Sequence, residues 1–342
     1  MKLALLITII GLIITIAKHM VNKGSGSICF APTREATTIL KGGMSLVIVW
    51  VHFSIFSPTP VSYSGYFAAL GAPVVGMFLF LSGYGLMKSW QIHGVSFWNG
   101  FLKRRFSKLL CPLLVATLIF QIVQWTQGIF SWSLISKGFL QGDPPLPFSW
   151  FVYEIAVLYL FFFICGRWTH NYSRFCALLF LSILIIYVFL RHINWLYVWY
   201  CTLPCFMGGV LMGLFENRVL TILNRHFIAT MILFAVFCSL TLFSLVKSEG
   251  YEDPSNLLGG IFLFLLPFIW FVLLICIQLR TGWVGYALGV ISYEIYVFHG
   301  IFIMNMALIN GSGWFHFFFV SGGSLLSAFF MHKIQLFLHH IK

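Results

Sequence analysis

Long apolar segments separated by short polar loops run along nearly the whole sequence. A helix needs about 20 predominantly apolar residues to cross a hydrocarbon core of about 30 Å, and runs of this kind predict transmembrane helices. The pattern therefore predicts an all-α, polytopic transmembrane helical bundle of about 10–11 spans, without a soluble domain. The predicted spans are residues 3–17, 44–57, 66–87, 109–127, 150–166, 176–190, 195–214, 227–246, 258–278, 283–305 and 314–332.

The composition agrees with a membrane protein. Of the 342 residues, 60% are hydrophobic and only 8% are charged, whereas soluble domains carry about 25% charged residues. The net charge of +12 does not indicate nucleic-acid binding, because most lysines and arginines fall in alternate loops, as the positive-inside rule predicts for cytoplasmic loops. The eight cysteines are scattered through apolar segments without metal-ligand neighbours, so we expect reduced thiols and no metal site.

The second predicted span carries a lysine at its start and a histidine in its middle. Ten residues separate Lys41 from His52, which is about three helical turns, so both side chains lie on one face of the helix. At 1.5 Å per residue, His52 lies about 16 Å from Lys41, near the middle of a bilayer. A titratable side chain at that depth is a candidate functional residue. The alternative is a histidine that only hydrogen-bonds a neighbouring helix.

The densest charge in the chain is the segment KRRFSK at residues 103–108. Arg105 and Lys108 are three positions apart and share a helix face, and Lys41 would join them if the second and fourth spans pack together. Such a cluster fits contact with anionic lipid headgroups. It also fits a site for a phosphorylated cytosolic ligand, because guanidinium groups suit phosphate geometry.

The tenth predicted span, containing GVISYEIYVFHG, is unusually polar for a membrane helix. Counted from residue 283, Glu294 lies near the middle of the membrane, where a carboxylate must be neutral or partnered. It would orient a histidine, bind substrate hydroxyls, pair with an arginine, or make only a helix–helix hydrogen bond. The same count places His299 toward the outer face, where we expect no special role.

These features suit acyl or group transfer. A histidine in mid-membrane takes a proton from a hydroxyl or holds an acyl group briefly, and the basic face would hold the phosphates of a donor. The alternative is a transporter or flippase of a glycan or anionic metabolite, since transporters also carry intramembrane charges. We find no inverted repeat or paired broken helices in the pattern, which counts against a transporter. A purely structural subunit does not account for His52 and Glu294.

Five landmark segments occur in a characteristic order and spacing. They are KGGMSLVIVWVHF (41–53), GMFLFLSGYGLMKSW (76–90), FLKRRFSKLLCPLL (101–114), SWFVYEIAVLYL (149–160) and LGVISYEIYVFH (288–299). Together they resemble the acyltransferase 3 family of integral-membrane acyltransferases over roughly residues 38–332. The resemblance divides the chain into an extra N-terminal span with a cytoplasmic linker, residues 1–37, and an acyltransferase 3-like transmembrane domain, residues 38–342.

Members of this family move an acetyl or other short acyl group from acyl-coenzyme A to a sugar hydroxyl of a surface glycan. The resemblance therefore implies an O-acetyltransferase of the bacterial inner membrane that uses acetyl-CoA as donor. Its partners would be the lipid bilayer and a glycan or lipid-linked sugar acceptor, with no nucleic acid. From the distribution of charge, the N-terminus would lie outside and the C-terminus in the cytoplasm.

The resemblance also assigns roles to individual residues. The family's pattern of arginine, ten residues and histidine corresponds to Lys41 and His52, and its Arg-x-x-Arg corresponds to Arg105 and Lys108; lysine keeps the charge of arginine but loses its bidentate fork. His52 would be the general base or a transient acyl carrier. The implied donor site is Lys41, Arg104, Arg105 and Lys108, and Tyr293 and Glu294 would orient the histidine or the acceptor.

Overall fold

The computed structural model describes residues 2–21, 32–58, 70–169, 171–247, 257–277 and 282–340. Within these residues the chain forms helices and no strand, which confirms the all-α prediction. The helices are α1 (Lys2–Val21), α2 (Arg34–Phe56), α3 (Gly71–His93), α4 (Phe101–Thr126), α5 (Trp132–Leu140), α6 (Trp150–Trp168), α7 (Tyr172–His192), α8 (Leu203–Arg225), α9 (Phe227–Lys247), α10 (Leu257–Ile277), α11 (Trp283–Val290), α12 (Ser292–Asn305) and α13 (Gly313–His340).

Most of these helices are long and apolar enough to cross a membrane. In the described part of the chain, seven helices meet this condition alone, and α11 with α12 forms a bent pair that meets it together. Shorter apolar stretches lie in α1, α9 and α10. The polytopic helical bundle predicted from hydropathy is therefore confirmed.

Helices α3 and α8 form the most closely packed pair at the centre of the bundle. Their backbones approach so closely that a Cβ atom built on Gly83 would lie 2.2 Å from the carbonyl oxygen of Phe206, and one built on Gly209 would lie 1.9 Å from that of Phe80. Both distances are shorter than van der Waals contact, so this crossing requires glycine at both positions. The helix pair forms a rigid support for the rest of the bundle.

Helix α2 packs against α3, α11, α12 and α13. It begins at Arg34, ten residues before the predicted span, because Thr33 caps it: the Thr33 hydroxyl oxygen accepts a hydrogen bond of 3.1 Å from the Ala36 amide. The early start means that Lys41 lies inside the helix, and the Lys41–His52 stretch is continuous helix. The predicted placement of both residues on one helical face is confirmed.

The tenth predicted span is not a single straight helix. Helices α11 and α12 meet near Ile291 at an angle of 69°, so the rise of a straight helix from residue 283 does not apply to Glu294 or His299. The predicted loop before α6 contains the short helix α5. Parts of the predicted linker in residues 1–37, the start of the span at 66–87 and the end of the span at 258–278 lie outside the described residues.

Candidate active site

Two histidines from distant parts of the sequence meet in the bundle. His52 in α2 and His299 in α12 are 247 positions apart, and Nδ1 of His52 lies 2.7 Å from Nε2 of His299. Their ring planes differ by only 14°, so the two imidazoles form one nearly flat, hydrogen-bonded pair. His299 is completely buried and His52 is half-buried. The straight-span count places His299 toward the outer face with no special role, whereas the structure buries its ring completely against His52.

The hydrogen bonds of His299 decide which nitrogen of His52 is available. Nδ1 of His299 contacts the backbone carbonyl of Tyr296, and since a carbonyl only accepts, this nitrogen carries a proton. Nε2 of neutral His299 must then accept, so His52 donates from its own Nδ1. Neutral His52 is left with an unprotonated Nε2, whose lone pair can take a proton or attack an electrophile. In the described residues no hydrogen bond occupies this Nε2.

The loop before α6 supplies a third ring to this pair. The phenyl ring of Phe148 stacks on the imidazole of His52, with centroids 4.2 Å apart and planes within 13°. The hydroxyl of Tyr296 donates a 2.5 Å hydrogen bond to the backbone carbonyl of Phe148. One face of the His52 ring is therefore covered. We call the end of the bundle that carries residues 141–149 the loop end.

A cavity of about 440 Å³ lies at the opposite end of the bundle, which we call the cationic end. Among the described residues that line it, four are cationic and none is a carboxylate, although Glu294 lies close enough to Lys108 for charge interaction. The cluster keeps an excess of positive charge, and a polyanionic ligand would relieve the repulsion within it. The lining residues are Arg34, Ser89, His93, Ser96, Phe97, Arg104, Arg105 and Lys108.

The cavity contains three of the four residues predicted to bind the donor, and the fourth lies nearby. Lys41 is half-buried and does not line the cavity, but it is close enough to Arg105 and Arg34 to feel their charges. Arg105 packs its guanidinium over the rings of Phe101 and Tyr159, at 5.9 and 5.8 Å. These stacked contacts orient the guanidinium without neutralising it.

Arg104 has a different local role from its neighbour. Its guanidinium donates to the backbone carbonyls of Asn99 and Phe97, the latter at 2.8 Å. These bonds tie the start of α4 to the preceding turn, where Gly100 has a φ of +63°. Arg104 therefore shapes the wall of the cavity and contributes charge to it, whereas Arg105 keeps more of its donors available.

The chain matches one family of known proteins. The model of the acyltransferase 3 family, described as an acyltransferase domain, matches residues 36–333. The chain belongs to the acyltransferase 3 family. The comparisons with curated proteins and with solved structures find no match. The matched range contains both the histidine pair and the cationic cavity of this membrane acyltransferase.

Two residues predicted to orient the histidine have other partners in the acyltransferase. A carboxylate oxygen of Glu294 lies 3.5 Å from Nδ1 of His332 in α13, and Lys108 is close enough for charge interaction. The hydroxyl of Tyr293 donates a 2.6 Å hydrogen bond to the backbone carbonyl of Leu109 in α4. Both residues lie in the first turn of α12, beside Lys108 and Leu109 of α4.

Several site residues of the acyltransferase were missed from the sequence. His299 and Tyr296 follow Glu294 in the same unusually polar helix, and that polarity was the signal that could have pointed to them. Nothing in the sequence pattern marked Arg34 as a site residue, because it lies ahead of the apolar segment. Within the described residues, no group of three or more histidine, cysteine or carboxylate side chains is placed to hold a metal ion.

Proposed function

We propose that the protein is a membrane O-acyltransferase that moves an acetyl or other short acyl group from acyl-CoA to a sugar hydroxyl of a surface glycan or its precursor. The observation that carries this proposal is the His52–His299 pair, which leaves one basic nitrogen of His52 free in the interior of the bundle. Membership of the acyltransferase 3 family supplies the reaction class.

The free Nε2 of His52 suits the proton transfer that acyl transfer needs. A sugar hydroxyl gives its proton to this nitrogen as its oxygen attacks the thioester carbonyl. The carbon–sulfur bond breaks, and the leaving thiolate takes the proton back from His52. The products are the acylated sugar and free coenzyme A, so protons and atoms balance. His299 accepts from Nδ1 throughout and stabilises the positive charge that develops on His52.

The cationic cavity suits the phosphates of coenzyme A. Arg105 and Lys108 supply strong donors for phosphate oxygens, and Arg34 adds a third cation from another helix. The cavity lining does not include His52, so the long pantetheine arm would carry the acyl group inward along α2, over the roughly 16 Å that separates Lys41 from His52. Lys41 lies at the start of that route.

The two ends of the bundle then correspond to the two substrates. We propose the bacterial inner membrane as the location, with the cationic end and the C-terminus in the cytoplasm, because lysine and arginine concentrate on that side. The glycan or lipid-linked sugar acceptor would approach from the loop end. Residues 1–37 would form an added N-terminal span and linker, and residues 38–342 the acyltransferase 3-like domain.

The first test removes the proposed base. We expect His52→Ala to abolish acylation of surface polysaccharide, measured by mass spectrometry of polysaccharide from cells with and without the gene. His192→Ala is the control, because His192 is exposed at the end of α7. Unchanged acylation at normal levels of His52→Ala protein would remove His52 from the mechanism.

The second test separates a transferase from a transporter or flippase, which has no need of coenzyme A. We expect purified protein to bind coenzyme A in a calorimetric titration, and Arg105→Ala to weaken binding at least tenfold, since a charge-assisted hydrogen bond contributes about 1.5–3 kcal/mol. Arg218→Ala is the matched control, because its guanidinium is exposed and packs over Phe215 on α8. Absence of binding by the wild-type protein would contradict the proposed donor.

A further inference from the structure

The loop before α6 holds Phe148 in an unfavourable backbone conformation. Its φ is +65°, in the left-handed region that residues with a side chain rarely adopt. The same loop uses glycine at its other left-handed position, Gly142, where φ is +83°. A turn alone would therefore be better served by glycine at 148 as well. A strained residue persists where its surroundings hold it, often at a functional site.

The loop is fastened to the bundle at several points. The side-chain amide of Gln121 donates to the carbonyl of Pro145, and the indole of Trp199 donates to the carbonyl of Gly142, both at 2.7 Å. Leu146 is completely buried. At the histidine pair, the Pro147 carbonyl lies against Gly300, where an added Cβ would approach to 2.7 Å. These contacts hold the loop against the bundle and keep Phe148 beside the histidine pair.

The ring of Phe148 is placed over the reactive histidine. It stacks on His52 at 4.2 Å and lies nearly parallel to His299 at 5.5 Å, with planes 22° apart. It also contacts Phe56, at the end of α2, with ring centroids 5.0 Å apart. An apolar ring in this position separates the imidazole pair from the solvent at the loop end.

We propose that Phe148 is a positioning residue that shields the histidine pair from water at the loop end, so that the acyl group passes to a sugar hydroxyl rather than to water. This inference rests on the proposed acyl transfer. Water in place of the sugar would attack the thioester carbonyl, the carbon–sulfur bond would break, and the products would be the free carboxylic acid and coenzyme A. Excluding water from a reactive acyl group prevents this side reaction.

The test uses the full-length purified protein and two variants of the same position. Phe148→Gly removes the ring and fits the left-handed backbone, so relief of backbone strain offsets part of the lost packing. Phe148→Tyr keeps a stacking ring. Phe56→Ala is the control, because it removes an exposed aromatic neighbour without uncovering His52.

The first readout is independent of any acyl transfer. Diethylpyrocarbonate modifies accessible imidazole nitrogens, and the modification of His52 is followed by mass spectrometry relative to exposed His192. We expect Phe148→Gly to be modified at His52 at least fivefold faster than the wild type, with Phe148→Tyr and Phe56→Ala close to the wild type. Equal rates in Phe148→Gly and wild type would overturn the shielding proposal, whatever reaction the protein catalyses.

The second readout is release of free thiol from acetyl-CoA without an acceptor. We expect Phe148→Gly to raise this hydrolysis at least fivefold, and His52→Ala in the same background to abolish the increase. Suppose that the wild type acylates glycan and that Phe148→Gly speeds modification of His52 without increasing hydrolysis. This result would overturn the role of Phe148 in excluding water. If the wild type does not turn over acyl-CoA when glycan acceptor is supplied, the proposed function is refuted. The labelling of His52 then decides by itself whether Phe148 shields the histidine pair.

Discussion

His299 gives the sharpest prediction about the site, because its only proposed contribution is through His52. His299→Ala removes the acceptor of the 2.7 Å bond from Nδ1 of His52. That bond fixes the tautomer with a free Nε2 and, in the proposed mechanism, would stabilise the positive charge that forms on His52. A hydrogen bond to a charged group contributes about 1.5–3 kcal/mol, and each 1.36 kcal/mol changes a rate tenfold. We therefore expect kcat to fall about 10- to 150-fold.

The size of this loss separates a positioning role from a catalytic one. Removing a general base costs about 10²–10⁴-fold in rate, so His52→Ala should be more damaging than His299→Ala. The KM for acetyl-CoA should stay within about threefold, since His299 lies away from the cationic cavity. His299→Gln should recover part of the rate, because its amide oxygen can accept from Nδ1 of His52.

The assay is acetyl transfer by the purified variants in detergent, with kcat and KM measured separately. His316→Ala is the matched control: His316 is also buried, and its Nε2 lies 2.8 Å from the backbone carbonyl of Ile309, outside the pair. Both alanine variants lose a buried histidine, and only His299→Ala should lose kcat. A kcat within threefold of wild type in folded His299→Ala would refute the proposed role of the pair.

Three further predictions concern packing, the Lys88–Glu216 ion pair and the donor site. Gly209→Ala should lower the free energy of unfolding by about 1–3 kcal/mol in a denaturant titration, because its Cβ would overlap a backbone carbonyl of α3. The control is Gly85→Ala, whose added Cβ would lie in open space, so it should not lower the free energy of unfolding. Glu216 is buried, pairs at 2.6 Å with Lys88, which is 33% exposed, and accepts a hydrogen bond from Tyr84, so Glu216→Ala should destabilise the protein by about 1–3 kcal/mol. Adding Lys88→Met should recover much of that loss, and no recovery would contradict the ion-pair explanation. Lys108→Arg should strengthen coenzyme A binding by a few-fold, about 0.5–1 kcal/mol, because it adds a bidentate fork; weaker binding would contradict phosphate contact at this position.

Hydropathy was enough to predict the class of fold, because a helix that crosses a bilayer must satisfy its backbone internally and present apolar side chains outward. Helical periodicity was enough to place Lys41 and His52 on one face, since α2 is continuous between them. Both predictions depend on local sequence only. They succeed because α2 has a good cap at Thr33 and contains neither proline nor a break.

The partners of His52 depend on packing between distant segments and could not be predicted in the same way. Because α11 and α12 meet at a bend near Ile291, counting residues along one straight helix does not give the position of His299. Phe148 lies in a segment with three prolines, and this pattern predicts a loop at the surface. In the structure, the Tyr296 hydroxyl donates a hydrogen bond to the Phe148 carbonyl, and the Phe148 ring stacks on His52. No periodicity or residue spacing in the sequence predicts either of these contacts.

The histidine pair also favours one of the two roles considered for His52. As a general base, His52 gains a proton on Nε2 and holds the charge itself, on a ring that is less buried than that of His299. As an acyl carrier, a neutral acyl-imidazole would form only if the Nδ1 proton moved to His299. That step would place a full positive charge on a completely buried ring whose described partners are His52 and a backbone carbonyl, with no carboxylate. Burying an unpaired charge is costly, so we infer that His52 acts as the base and that the acyl group passes directly from donor to acceptor.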